Sequence, residues 1–406
     1  MSEFKYIAMT SDGKKIKGTY EAANAAEVTM ALRQRNYFVS QVKQVGGGLN
    51  KDIELFGSGK IPIAVLARFC TQMAAMLRVG VPVFRTLEIL KIEIEHKPLK
   101  KILADVFDSI QTGVSLSTAF KVYEKAFPVF FLSMIDAGEA TGGLDNCLKR
   151  AGDSFTKTAR IKSKVKSAMS YPTFMLFFMI GIFVLLLTWV LPQFATVYDA
   201  FDSELPIYTQ FVLNLSDRFI ENWLFFLIFV VVTVGGIVLY CKTDSGGTQF
   251  DLLKMRVPLV GKLTSKIYSS RFCRTLSSLT LAGVGLPEAL EVTARSVGNR
   301  YFEKRIRSMV TNVSEGMNLS SAMEQIEVLP VLVVSVTKLG EESGTIEEML
   351  SQVADYYDDE ADTAIASMVS LMGPMMIVLL AVLVLPILIA AVLPMFGMVE
   401  AVMSEH

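Results

Sequence analysis

Three runs of this chain contain no Asp, Glu, Lys, Arg or His, and each is long enough to cross a bilayer. They occupy residues 172–192 (PTFMLFFMIGIFVLLLTWVLP), 223–240 (WLFFLIFVVVTVGGIVLY) and 374–396 (PMMIVLLAVLVLPILIAAVLPMF). A helix rises about 1.5 Å per residue, so each run reaches across a hydrocarbon core of roughly 30 Å. Gly235-Gly236 and Pro386 would weaken a helix in water, but neighbouring helices in lipid can satisfy the freed backbone groups. The expectation is a mainly α, polytopic membrane protein with three transmembrane helices at 172–192, 223–241 and 374–396.

Basic residues orient the spans. Lys149, Arg150, Lys157, Arg160, Lys162, Lys164 and Lys166 precede the first; Lys242, Lys254, Arg256, Lys262 and Lys266 follow the second. Residues 193–222 between them hold Asp199, Asp202, Glu204, Asp217 and Glu221 against Arg218 alone. The positive-inside rule puts both basic flanks in the cytoplasm and the 193–222 loop in the periplasm. Parity then leaves the N-terminus cytoplasmic and the tail 397–406 periplasmic.

The cytoplasmic parts are copies of each other. A shift of 203 lays RFCTQMAAMLRVGV, from Arg68, on RFCRTLSSLTLAGV, from Arg271, and GVSLSTAF, from Gly113, on GMNLSSAM, from Gly316. After a one-residue deletion the shift is 202; Pro128 meets Pro330, Pro172 meets Pro374, and LPQF at Leu191 meets LPMF at Leu393. Apolar positions such as Phe69, Met73, Met76 and Leu77 recur at helical spacing, and aligned breakers (Gly80-Val81-Pro82, Lys97-Pro98, Gly113, Phe127-Pro128) divide each copy into about six short helices. Two duplicated cytoplasmic six-helix-type domains are expected, at 61–171 and 264–373. Each feeds a transmembrane helix that enters the bilayer at Pro172 and Pro374 and leaves it at Pro192 and Pro394.

One motif recurs within the copies: Gly138-Glu139-x-x-Gly142 and Gly340-Glu341-x-x-Gly344. It reads as a helix–helix corner, with Gly142 and Gly344 in the left-handed conformation that ends a helix and Thr345 with Glu348 opening the next. A corner does not require Glu139 or Glu341. Those carboxylates would serve a surface contact, or a bridge to the aligned Arg68 and Arg271. The copies also differ in one informative way: Lys157 and Arg160 align with Asp359 and Asp362. Either these are two solvated helix faces near lipid headgroups, or the helices entering the first and third spans pair, within or between chains.

The first 45 residues follow other rules. FKYIAMTSDGKKIKGTYEAAN alternates around Asp12-Gly13, a hairpin signal; AAEVTMALRQRN is helical, and YFVSQVKQV reads as a strand. A small N-terminal α/β module is expected at 1–45, then a glycine-rich linker at 46–60. Nothing in the opening residues has the apolar core of a signal peptide. GSGK at Gly57 is no phosphate-binding loop, because Glu54 stands where that motif needs glycine and Ile61 where it needs Ser or Thr. Cys70, Cys147, Cys241 and Cys273 lie far apart with no CxxC pair, which speaks against zinc or a disulfide framework. His96 and His406 are the only histidines, the spans carry no acid, and the net charge is −1. No catalytic site, cofactor or metal is expected, and no nucleic acid.

Together these features resemble the bacterial inner-membrane platform proteins of type IV pilus assembly and type II secretion. The resemblance covers essentially the whole chain. It rests on the duplicated domain with Gly-Glu-x-x-Gly, Tyr171-Pro172 before the first span, VLPQF at its end, the Tyr6-x-Ala8 strand and ELPIYTQ from Glu204 to Gln210. It implies a non-enzymatic protein that sits under a growing filament. Its implied partners are a hexameric cytoplasmic ATPase, pilin or pseudopilin subunits, other inner-membrane assembly proteins and further copies of itself. The pilus branch fits slightly better than the secretion branch; a small-solute transporter is the alternative of another class. The aligned polar positions Arg68, Glu88 and Glu139, with Arg271, Glu291 and Glu341, are the expected coupling surface, or else hold each domain together. The acidic run from Asp355 to Asp362 departs from the family pattern and puts ATPase docking at that helix in question.

Overall fold

The computed structural model describes residues 2–9, 15–22, 38–45, 59–190 and 221–404, with a few isolated positions between. Residues 1–59 form one compact unit and 60–406 another. In the first, β1 (Ser2–Met9) lies between β2 (Lys15–Ala22) and β3 (Phe38–Val45), antiparallel to both. Met9 pairs with Lys15, so the strands of the expected hairpin are in place, while Asp12-Gly13 lies outside the described residues. Of the expected helix only Glu27 and Ala31 are described, both helical. What the structure supports here is the sheet, and the α/β reading is not carried further. The glycine-rich linker up to Ser58 and nearly all of the 193–222 loop are likewise outside the described residues.

The second unit holds both copies. Repeat 1 comprises α1 (Ile63–Arg78), α2 (Val83–Glu93), α3 (Lys97–Gln111), α4 (Leu116–Lys121), α5 (Val129–Thr141) and α6 (Leu144–Leu185). A five-residue π-helical stretch, Leu186–Val190, extends α6. The helix α7 (Trp223–Lys242) and the short α8 (Asp244–Arg256) lead to repeat 2: α9 (Pro258–Leu281), α10 (Leu286–Val297), α11 (Arg300–Ser314), α12 (Leu319–Ile326), α13 (Val331–Ser343) and α14 (Ile346–Ser404). One helix start is capped by a side chain in both copies. His96 Nδ1 accepts from the Leu99 amide (3.3 Å) to open α3, and the aligned Asn299 Oδ1 accepts from Phe302 (2.9 Å) to open α11. Each bond satisfies one of the four amides a helix start leaves unpaired. Buried Leu66, Phe69, Met73 and Leu87 in repeat 1, and Phe272, Leu276, Leu279 and Leu290 in repeat 2, belong to one continuous core.

Two expectations are corrected. The sixth helix of each copy is not short: α6 has 42 residues and α14 has 59, each running without a break from the cytoplasmic domain into its apolar stretch. Pro172 and Pro374 therefore sit inside continuous helices and interrupt neither. A proline removes one ladder bond, and a long packed helix carries on around it. Pro394 likewise falls within α14, which continues to Ser404 into the segment expected to be the tail. Among the described residues three helices are apolar and long enough to cross a membrane, those containing the expected runs.

Candidate functional site

The repeated corner is built from three separate requirements. Gly138 must be glycine because a Cβ there would lie 2.8 Å from the Leu144 Cα, and Gly340 because a Cβ would lie 2.9 Å from the Ile346 Cα. Those contacts are with backbone, which cannot step aside. Gly142 (φ 73°) and Gly344 (φ 69°) end α5 and α13 in the left-handed region, where a side chain is strained. The glutamate between them closes a different helix. Both oxygens of Glu139 accept backbone amides at the start of α4, from Leu116 at 2.7 Å and Ser117 at 2.9 Å. In repeat 2, Glu341 accepts from Leu319 (2.5 Å) and Ser320 (3.0 Å) at the start of α12, and from the Ser320 hydroxyl as well. A carboxylate at a helix N-terminus gains from charge-assisted bonds and from the helix dipole together. Burial alone would raise the Glu139 carboxyl, but the hydrogen bonds from Ser117 and Leu116 outweigh it and hold the group below the usual glutamate value.

The glutamates do not bridge the aligned arginines. Arg271 donates to the Val297 carbonyl at 2.6 Å, at the end of α10. Arg68 is exposed beside a polar cavity of about 310 Å³ lined by Gln72, Glu93 and His96. Glu88 pairs with its helix neighbour Arg85, and Glu291 with Arg295 (2.8 Å) and Arg307 (3.5 Å). The six aligned polar positions thus form local contacts and do not converge on one surface.

The oppositely charged helices meet within the chain. Lys157 of α6 bonds Asp355 of α14, and Lys164 bonds Asp362 at 2.5 Å. Both pairs are offset by 198, four short of the repeat alignment, because lysine side chains lean one turn back toward the helix N-terminus. Their shared seven-residue advance shows that α6 and α14 run side by side in the same direction. Below the pairs, Leu263, Ala361 and Ile365 are buried against Ile161, Val165 and Ala168. Arg274 of α9 joins the seam through Asp355 (2.9 Å) and Asp358 (2.5 Å), and Lys266 through Glu360 (2.5 Å). For Asp355 burial pushes the carboxyl up, while Lys157 and Arg274 pull it further down, so it is held below the ordinary aspartate value. Of the four residues expected here, Lys157 and Asp362 take part. Arg160 and Asp359 are exposed and have no ion pair among the described residues. Lys164, Lys266, Arg274, Asp355, Asp358 and Glu360 also belong to the seam and were not among those expected. Arg274 could have been found as a charge standing where the other copy has Thr71.

A polytopic chain with two copies of one helical domain, each feeding a membrane helix, defines the class. The sequence matches the family described as "Type II secretion system (T2SS), protein F" twice, over residues 69–192 and 272–394, and its N-terminal domain over 1–43. The chain belongs to this family. It is 33% identical to the "Type IV pilus assembly protein PilC" of Thermus thermophilus, covering 98% of each chain. It is 34% identical to the protein of that name in Pseudomonas aeruginosa, over 85% of this chain and 93% of that one. Against the "Type II secretion system protein F" of Vibrio cholerae identity is 28%, with 98% of each chain covered.

Proposed function

We propose that this chain is the inner-membrane platform of a type IV pilus assembly machine, passing the work of a cytoplasmic ATPase to pilin subunits in the bilayer. The observation that carries the choice of branch is that four pilus assembly proteins stand at 30–34% identity and the secretion proteins at 27–28%, with one fimbrial assembly protein also at 28%. The long helices support transmission. Because α6 and α14 are unbroken from helical domain to apolar stretch, a push on either cytoplasmic domain moves a membrane span as one rod. The chain supplies no catalytic step; hydrolysis belongs to the partner. The N-terminus and both repeats lie in the cytoplasm, the C-terminus in the periplasm, and the working unit contains several copies. Within it, Glu139 and Glu341 hold their domains together, since their oxygens are committed to helix starts.

The test is a capture experiment from detergent-solubilised membranes with the full chain as bait. Recovery of a secretion-type ATPase with pilins supports the pilus platform. Recovery with secretion pseudopilins instead moves the chain to the other branch, and recovery of neither defeats the reading.

A further inference from the structure

Helix α8 is tied to the membrane surface at both ends. At its start, the apolar run of α7 stops at Tyr240, Lys242 closes that helix, and Thr243 caps α8 by accepting from the Gly246 amide at 3.3 Å. Its other end is placed by α9, which runs antiparallel to α14. Arg274 meets Asp355, Ser270 meets Asp358, Lys266 meets Glu360, and Leu263 is buried with Ala361 and Ile365. Each step back along α9 is therefore a step up α14 toward its apolar run. Carried on at about 1.5 Å per residue, Pro258 falls level with about residue 369, roughly 7 Å short of Pro374. The 13 residues of α8 thus join two points at one height, and the helix lies along the bilayer surface, not across it.

One face of α8 is held and the other is bare. On the held side, Gly247 is buried against Arg300 of α11, whose guanidinium donates to the Thr243 carbonyl at 2.5 Å. Asp251 accepts from the Arg300 amide at 3.0 Å. On the bare side, Phe250, Leu253 and Val257 are 40%, 58% and 42% exposed. Their spacing of three and four puts them in one stripe. Basic groups border it: Arg256 is exposed, and Lys254 lies over the Phe250 ring, 4.6 Å from its centroid, while also reaching Asp251 at 3.1 Å. Across residues 242–262, Lys242, Lys254, Arg256 and Lys262 stand against Asp244 and Asp251, an excess of positive charge.

Lipid accounts for both the apolar and the basic part of the bare face. The stripe continues the uncovered flank of α7, where Leu239 and Tyr240 are exposed, and the Tyr240 hydroxyl donates to Gln249 of α8 at 3.0 Å. At the boundary between headgroups and acyl chains such a stripe is taken out of water, while the stems of lysine and arginine reach outward to phosphate. The excess positive charge favours anionic headgroups over neutral ones.

We propose that α8 is an interfacial helix that seats Phe250, Leu253 and Val257 at the acyl boundary of the repeat-facing leaflet and binds anionic phospholipid headgroups through Lys254 and Arg256. The occupant is lipid, continuous with the lipid around α7. Seated so, α8 sets the height of repeat 2 above the bilayer, because Thr243 and Asp251 fasten it to the start of α11.

The test uses the full chain in lipid nanodiscs with one tryptophan kept as reporter. In a Trp189→Phe/Trp223→Phe background, Leu253→Trp puts the reporter on the stripe and Val79→Trp is the distant control. Val79 closes α1, whose Cys70 and Thr71 sit beside Gly152, about 30 Å of helix below Pro172. Phosphatidylcholine brominated near the top of its acyl chains should quench position 253 several-fold more than position 79, and aqueous iodide the reverse. Phe250→Trp repeats the measurement should the first reporter misfold. Hydrogen exchange across α8 should slow several-fold when phosphatidylglycerol replaces part of the phosphatidylcholine, and Lys254→Gln with Arg256→Gln should remove that slowing. Position 253 quenched by iodide and not by the bromolipid overturns the seating. Exchange indifferent to phosphatidylglycerol, or a slowing that survives the double substitution, overturns the headgroup site. No ATPase or pilin enters the measurement, so its outcome is separate from that of the capture experiment.

Discussion

The two repeats reach one backbone through different interiors. Repeat 1 is aromatic at its centre: Phe120 meets Phe131 edge-on at 5.3 Å, and Phe127 stacks on Phe131 at 4.8 Å. At the same places repeat 2 has Met323, Leu329 and Val333, all buried or nearly so. What the copies share is punctuation, namely the turn glycines, the caps at His96 and Asn299, and the corner motif. The lesson is that the chain's stops and starts specify the fold, and the core has only to fill the volume between them. The strongest way to break this comparison is to empty both centres. Phe131→Ala should cost about 3–5 kcal/mol and Val333→Ala about 2 kcal/mol, read as a fall in the hydrogen-exchange opening energy of the affected repeat in the full chain. Equal losses would mean that the aromatic cluster is looser than its geometry implies.

The corner should behave identically in both copies if punctuation sets the fold. Gly138→Ala and Gly340→Ala force a Cβ to within 2.8 and 2.9 Å of backbone, an overpacking that costs about 1–3 kcal/mol. Gly142→Ala and Gly344→Ala keep their space and suffer only the left-handed backbone, roughly 1–2 kcal/mol. Glu139→Gln and Glu341→Gln should each cost on the order of 1 kcal/mol, because one accepting oxygen is replaced by an amide that faces a donor. Thermal unfolding of the six variants gives the ranking. A corner that ranks differently in the two copies would show that its surroundings, and not the motif, decide.

Much of this was legible in the sequence because the signals were local or duplicated. The spans announced themselves by the absence of charge, the copies by a fixed shift, and Gly142 and Gly344 by their place after a helix. The role of Glu139 was not legible, since its partners lie 22 and 23 residues earlier and are backbone amides of Leu116 and Ser117; any residue type could supply those. The length of α6 and α14 was not legible, because each runs on through a proline, Pro172 or Pro374, that would break a short helix. The pairing of Lys157 was foreseeable as charge against charge, but its register was not, because the reach of a lysine shifts the partner by one turn. Arg68 and Arg271 show the limit of alignment: one residue type at one position is exposed in repeat 1 and bonded to Val297 in repeat 2.

The smallest effects belong to the seam between α6 and α14, where the repeats are compared by the chain itself. Lys164→Glu should weaken it and Lys164→Glu with Asp362→Lys should restore it, by a few tenths of a kcal/mol to about 1 kcal/mol, the usual worth of a part-exposed pair. Acid should do the same without mutation, and the sign follows from Asp355. Its carboxyl is held below the ordinary value of 3.8 when folded, so an unfolded or opened chain takes up the proton first. The contribution is therefore complete above pH 4 or so, and is lost as pH falls through 3.8 toward the depressed value. Since Asp355 is more than half exposed, the loss is modest, and high salt should reproduce part of it at neutral pH. Hydrogen exchange in α5 and α9, compared at pH 6 and pH 3.5 after correction for intrinsic rates, reads the effect. Exchange that rises at the corner of repeat 1 but not at the seam between α6 and α14 would place the acid-sensitive group at Glu139 and leave Asp355 without a measurable share.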